Sequence, residues 1–446
     1  MKKTLCLILC LILVCSVFGG CNQQGSGETT LPETTGAPEK QLLIGYGRAD
    51  ITPPKPVPLG GLSNNVVGGS SSDRIYKEVK NPLYATCIAI SDETGNTILL
   101  YHMDLLLSYA TKLVSAKMAI VRATGINGNQ IMITSTHNHS GPDLYSDEPI
   151  MEEYIKYLGE KMLEAAQTAL ADRKPAKMYI ASDTVENLNF VRHYKLSDGS
   201  YAGDNFGSWT GKTIVGHAVD VDNQMQLIKF TREGSKDIVL MNWQAHPTGH
   251  SGEDRSNVLS HVDEVRKVVE AQLDCHFAYF LGASGNINST SRISGENIVS
   301  GYQAHGQKLG EAAVQVAQKF QEVSTDTIRF ASYSYTAMDV AEEGVERKVD
   351  MFAFSFGDAA FVTAPYEMFC ENGMAIKNGS PYKMTFVATC SNEITSYLAY
   401  IPSTPTFAYN SYEVQMNKLV PGTAEILADE YVSLLNQIYN AETAAQ

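Results

Sequence analysis

At three places a metal-ligating residue type, histidine or glutamate, follows an apolar run. His137 and His139 follow Gln130–Thr136 in the segment His137-Asn138-His139-Ser140-Gly141-Pro142. His246 follows Asp237–Ala245 in His246-Pro247-Thr248-Gly249-His250, and Glu367 follows Ala359–Ala364 in Pro365-Tyr366-Glu367. Imidazole and carboxylate are ordinary ligands of a catalytic zinc ion, which keeps one position open for water. In extended chain, residues i and i+2 face the same side, so His137 and His139 are presented together. His246 and His250 have the i, i+4 spacing of helical zinc sites. Pro247 and Gly249 break a helix there, so that pair contributes one ligand at most. A lone histidine after a strand is more often a hydrogen-bonded structural residue. The recurrence at three strand ends is what points to a metal.

The elements that must position these residues alternate between strand-like and helix-like runs. Strands are predicted at Thr97–Leu107, Gln130–Thr136, Lys177–Ser182, Gln224–Phe230, Asp237–Trp243, Phe277–Gly282, Ala359–Ala364 and Lys383–Thr389; several are apolar on both faces, as in a covered sheet. Helices are predicted at Thr111–Thr124 (stopped by Gly125), Pro149–Asp172, Ser260–Leu273, Tyr302–Val323 and Thr423–Tyr439. Tyr154, Leu158, Met162 and Ala165 recur at helical spacing as a core face. The expected fold class is α/β, with mixed β-sheets flanked by helices and the metal site at the carboxyl ends of strands, where α/β folds gather their sites.

Longer motifs make the pattern specific. Gly45 to Pro54 reads Gly-Tyr-Gly-Arg-Ala-Asp-Ile-Thr-Pro-Pro, Ser135 to Pro142 reads Ser-Thr-His-Asn-His-Ser-Gly-Pro, and Asn242 to Pro247 ends in His-Pro. Pro365-Tyr366-Glu367, the tyrosine-bearing stretch from Tyr397 to Tyr412-Glu413, and Pro421-Gly422-Thr423-Ala424-Glu425 follow in order. Together they resemble GxGxADITPP, THTHSGP, NxxCHP, PGE, a segment ending in YEG, and the opening of the last helix in the neutral (alkaline, non-lysosomal) ceramidase family. The resemblance spans Gly45 to Glu425. It implies a zinc-dependent hydrolase of an amide bond that uses a zinc-bound water. It implies zinc ligands His137, His246, Glu367 and Tyr400, with His139, Arg192 and Tyr412 around the scissile amide. The chain departs from the family where a glycine-rich loop ends in GDVSPN. Here Gly282 to Ser289 places Asn288 at the serine's position and Ser289 at the proline's. Asn288 is therefore expected to orient water or bind the carbonyl. Asp104 is a candidate for orienting a ligand histidine or simply for capping a strand.

The ends and the composition bound the rest. Lys2, Lys3 and the apolar run Leu5 to Phe18 read as a signal peptide ending at Cys21, after Gly19-Gly20, as a lipidated residue. Residues 22–40 are rich in Gly, Ser, Thr, Pro and Glu and read as a flexible tether, leaving 41–446 as the catalytic domain. Its expected place is the outer face of a bacterial cytoplasmic membrane, with membrane contact through the anchor only. A net charge of −15 without a basic run argues against nucleic-acid binding. The eight cysteines contain no CxxC; Cys87, Cys275, Cys370 and Cys390 lie in the domain, where one or two disulfides are permitted. A small or lipid-like acyl compound is the expected partner. Three other readings stay open: a hydrolase of esters or N-acyl groups other than sphingolipid, a metal-binding surface lipoprotein without catalysis, and a solute-binding lipoprotein, suggested only by the anchor and tether.

Overall fold

A computed structural model describes residues 41–61, 74–248, 257–297, 299–392 and 399–443. The proposed signal peptide, Cys21, the tether, Asn64, Asn65, Asp73 and His250 lie outside the described residues.

The architecture is four layers: helices, a large sheet, a small sheet, and helices again. The large mixed sheet has the strand order Cys275–Leu281, Asp237–Trp243, Gln224–Arg232, Lys174–Thr184, Leu42–Asp50, Tyr84–Ser91, Thr97–Met103, Ile131–Ser135. Its first two and last two strands pair in parallel, and the interior pairs are antiparallel. The small sheet orders Arg329–Met338, Glu346–Ser355, Ala359–Thr363 and Met384–Ala388, the last pair parallel. Between the sheets lies an aliphatic and aromatic core that includes Ile88, Leu100 and Phe280 from one side and Phe354, Phe361 and Phe386 from the other. Packing two sheets face to face is the way each can bury its second apolar face.

Helices Ala110–Thr124 and Pro149–Ala171 cover one part of the large sheet's outer face. His261–Leu273 and Tyr302–Ala317 cover the other part. Thr423–Thr443 packs on the small sheet. Local signals set several helix ends: Pro149 stands at the first helical turn, Gly125 caps with φ 74°, and the Ser260 hydroxyl accepts from the Asp263 N–H.

The fourth predicted helix is shorter than its sequence suggests. It ends at Ala317, and Gln321–Val323 instead adds a short antiparallel strand to Lys174–Thr184. Apolar Phe320 and Val323 continue the helical pattern, but the sheet edge offers that segment backbone partners. Leu42–Asp50 is a strand that the sequence presented only as a motif. Its glycines are demanded by packing: a Cβ at Gly45 would lie 1.9 Å from the Ala169 carbonyl oxygen, and one at Gly47 2.1 Å from that of Ala165. The helix Pro149–Ala171 rides directly on that strand's backbone. Cys87, Cys275, Cys370 and Cys390 are all buried free thiols, so none of the permitted disulfides forms among them.

Candidate metal centre

The strands Ile131–Ser135, Asp237–Trp243 and Ala359–Thr363 deliver His137, His246 and Glu367 to one place. The Nε2 atoms of His137 and His246 lie 3.3 and 2.8 Å from Glu367 Oε2. His139 joins them: ligand nitrogens of His137, His139 and His246 all lie within 4.8 Å of one another. His137 and His246 are buried and His139 is partly exposed.

Backbone carbonyls fix the ring orientations. Nδ1 of His137 meets the Leu106 oxygen at 3.1 Å, Nδ1 of His139 that of Gly61 at 2.9 Å, and Nδ1 of His246 those of Ser284 and Ile287 at 2.8 and 3.0 Å. A ring nitrogen facing a carbonyl must carry the proton, so Nε2 is left as the lone-pair atom. The Nε2 atoms of all three histidines and Glu367 Oε2 are buried without a hydrogen-bond partner. Their short contacts to each other lack the geometry of a bond. Four inward acceptors in a buried space call for hydrogen-bond donors or a positive charge. A proton is one candidate. Burial opposes an imidazolium at His137, but the Glu367 carboxylate and the neighbouring Cys390 outweigh it and hold His137 well above the usual imidazole range. Burial opposes the Glu367 carboxylate too, yet His137 and His246 keep it well below the usual range. His139 is pushed well below its ordinary value by burial and by the other two histidines, and His246 is lowered by burial and by Arg192. A divalent cation answers the same demand, and the donor set of imidazoles and a carboxylate suits zinc.

The loop bearing the histidines is strained. His137 adopts φ 61°, and Cys390 and Asn392, which cross it, adopt φ 52° and 55°. The Ser135 N–H donates to the Cys390 carbonyl, and Asn392 Oδ1 accepts from the Ile133 N–H. Cys390 Sγ comes within 3.7 Å of His137 Nδ1. Left-handed conformations in residues other than glycine persist where surrounding structure over-determines them. Arg74 is buried and donates to the carbonyls of Gly60 and His139.

Tyr400 is brought beside Glu367 by a two-residue parallel pairing, Glu367 with Tyr400 and Met368 with Ile401. Arg192 Nη2 donates to the Tyr400 hydroxyl at 3.4 Å and to the Gly285 carbonyl at 2.8 Å. Tyr412 is half-buried, with its ring 5.9 Å from that of Tyr400. Gly285 must be glycine, because a Cβ there would lie 2.7 Å from the Glu367 carbonyl oxygen. Asn288 is bridged to His246 through the backbone, while its Nδ2 donates to Asp204 at 2.6 Å. Asp104 holds no histidine of this cluster. Its carboxylate pairs with His102 and Arg266 and accepts the Tyr84 N–H.

The arrangement of layers and strand ends decides the likeness to known structures. The chain has the neutral ceramidase fold. It superposes on the crystal structure of neutral ceramidase from Pseudomonas aeruginosa with a TM-score of 0.68 at 14% identity, covering 89% of this chain and 74% of that one. A structure of ceramidase complexed with C2 gives 0.69 at 14% identity, covering 89% and 75%. No family model matches the sequence, and no curated protein matches it significantly. Sequence reasoning missed the carbonyls of Gly61, Leu106, Ser284 and Ile287 that orient the rings, and the placing of the Cys390 thiol beside His137.

Proposed function

We propose that the chain is a metal-dependent, most simply zinc-dependent, hydrolase of an amide bond, resembling ceramidase in mechanism. The observation that carries this reading is the buried set of inward acceptors, with three imidazoles locked by backbone carbonyls. His137, His246 and Glu367 would hold the ion, with Tyr400 beside Glu367 as the fourth ligand. A bound zinc ion supplies a Lewis acid for the carbonyl and a means of acidifying water. His139 is partly exposed and its Nδ1–H is held by the Gly61 carbonyl, which leaves the Nε2 lone pair to take a proton and pass it to the leaving nitrogen. Arg192 and Tyr412 donate to charge developing on the substrate oxygen.

Asn288 favours an N-acyl substrate other than ceramide. Where the family places a serine, its amide is spent on Asp204. It provides no hydroxyl. The proposal includes lipid attachment at Cys21 and a location outside the cytoplasmic membrane, which acyl labelling of wild type and Cys21→Ser would test.

The deciding experiment combines metal analysis with a panel of N-acyl compounds. His137→Ala and His246→Ala are expected to lose the ion and at least about a thousandfold in rate. His139→Ala is expected to keep the ion and lose about a hundredfold. Retained metal in the first two variants would refute the ligand assignment. Metal bound by a protein that cleaves no compound of the panel would favour the non-catalytic reading.

A further inference from the structure

Behind the site Arg192 is held by a largely buried group, Glu413, His193 and Tyr409, to which the proposed chemistry gives no role. Glu413 is 2% exposed and Arg192 7%. Glu413 Oε1 accepts from Arg192 Nε at 2.9 Å and lies 2.7 Å from Nη2. Its Oε2 meets His193 Nε2 at 2.9 Å, and the other His193 nitrogen meets the Tyr409 hydroxyl at 3.1 Å. The Arg192 main-chain N–H donates to the Asn286 carbonyl. Among the described residues Arg192 Nη1 has no partner, and Arg192 lines a small cleft with Asp204, Phe206 and Tyr412.

Resting on the reading above, we infer that Glu413 is a positioning residue: it grips the Nε edge of Arg192, cancels its charge, and thereby aims Nη2 at Tyr400 and leaves Nη1 for a substrate oxygen. Two features require such a grip. A buried guanidinium without a counter-charge is costly and seeks another carboxylate. One rival is Glu367, which lies within electrostatic reach of Arg192. If Arg192 turned to Glu367, it would occupy a carboxylate that the ion needs. Glu413 is itself anchored by His193 and by its place in the short helix Tyr412–Met416, so the pair is fixed on both sides. Arg192 beside His246 would also disfavour a cation if its charge were not offset.

The test uses Glu413→Gln, Glu413→Ala and Arg192→Lys in the full chain. Metal content, melting temperature, kinetics on the best N-acyl compound of the panel, and the Arg192 Nε–H NMR signal are measured together. Both Glu413 variants are expected to lower kcat by about 10- to 100-fold through misplacement of the donor. KM should stay within about threefold, because the interaction belongs to the transition state. Combining Arg192→Lys with Glu413→Gln should cost little beyond the worse single change, as coupled residues do. The Arg192 Nε–H signal should exchange slowly in the wild type and disappear in Glu413→Ala. A Glu413→Gln protein with unchanged kcat, losses that multiply in the double variant, or a persistent Nε–H signal would overturn the inference. The NMR measurement needs no substrate. If the whole panel resists hydrolysis, the proposed function fails while the positioning role is still decided; if Glu413→Ala does not fold, Glu413→Gln carries the test.

Discussion

His102 and His137 stand on or just beyond adjacent parallel strands, Thr97–Met103 and Ile131–Ser135, and each is buried against a carboxylate. Their surroundings are opposite. At His102 both ring nitrogens are engaged, Nε2 with Asp104 at 3.1 Å and Nδ1 with the Tyr279 N–H at 2.6 Å. Asp104 divides its oxygens among His102, Arg266 and the Tyr84 N–H, and Arg266 also reaches Asp263. At His137 one nitrogen is engaged, and the other faces Glu367 and two more imidazoles whose Nε2 atoms also lack partners. Residue type and burial do not separate the two histidines; hydrogen-bond satisfaction at their ring nitrogens does, although Arg266 Nε in the first cluster is also buried without a partner. A histidine–carboxylate pair with both ring nitrogens engaged is a structural rivet, whereas one left open is prepared for something the chain does not itself contain.

The sharpest test of that contrast is stability. Asp104→Ala removes the carboxylate partner of His102 and one of the two buried carboxylate partners of Arg266, and is expected to cost about 3–5 kcal/mol, read by denaturant unfolding. The same residue predicts an acid limb. Burial opposes the Asp104 carboxylate, but Arg266 and His102 hold it down to about 2 in the folded protein. A depressed folded value means stability present above the unfolded value of about 3.9 and lost as pH falls towards about 2. Asp104→Asn should flatten that limb; an unchanged limb would break the comparison.

Metal should separate the clusters by a somewhat smaller amount. Zinc at about a hundred times its dissociation constant is expected to stabilise the wild type by about 2.7 kcal/mol. His137→Ala should show no increment, while a folded Asp104→Asn protein should keep it in full. A zinc increment that survives in His137→Ala would place the ion elsewhere.

The smallest effect concerns backbone strain. At φ 61°, His137→Gly is expected to be about 1 kcal/mol more stable than His137→Ala in metal-free protein. Equal stabilities would mean that the loop does not hold a strained residue for the sake of its imidazole.

Much of the scaffold was legible because local rules wrote it. Pro149, Gly125 and Ser260 mark helix ends, and apolar runs before His137, His246 and Glu367 mark strands that end at the site. Arg329–Met338 and Glu346–Ser355 were not anticipated. The first is largely exposed and carries polar residues among its aromatics, so it lacks the apolar run by which the covered strands were found.

By itself the sequence determined which residues carry imidazole, carboxylate, phenol and guanidinium, and that several follow strands. The tertiary structure decided which nitrogens face inward, because the groups that fix them are carbonyls of Gly61, Leu106, Ser284 and Ile287, and a main-chain carbonyl has no residue signature. It also decided that Arg192 meets Glu413, 221 positions away, and that Gly45 and Gly47 serve helix packing. Such pairings depend on distances that exist only once the layers have closed.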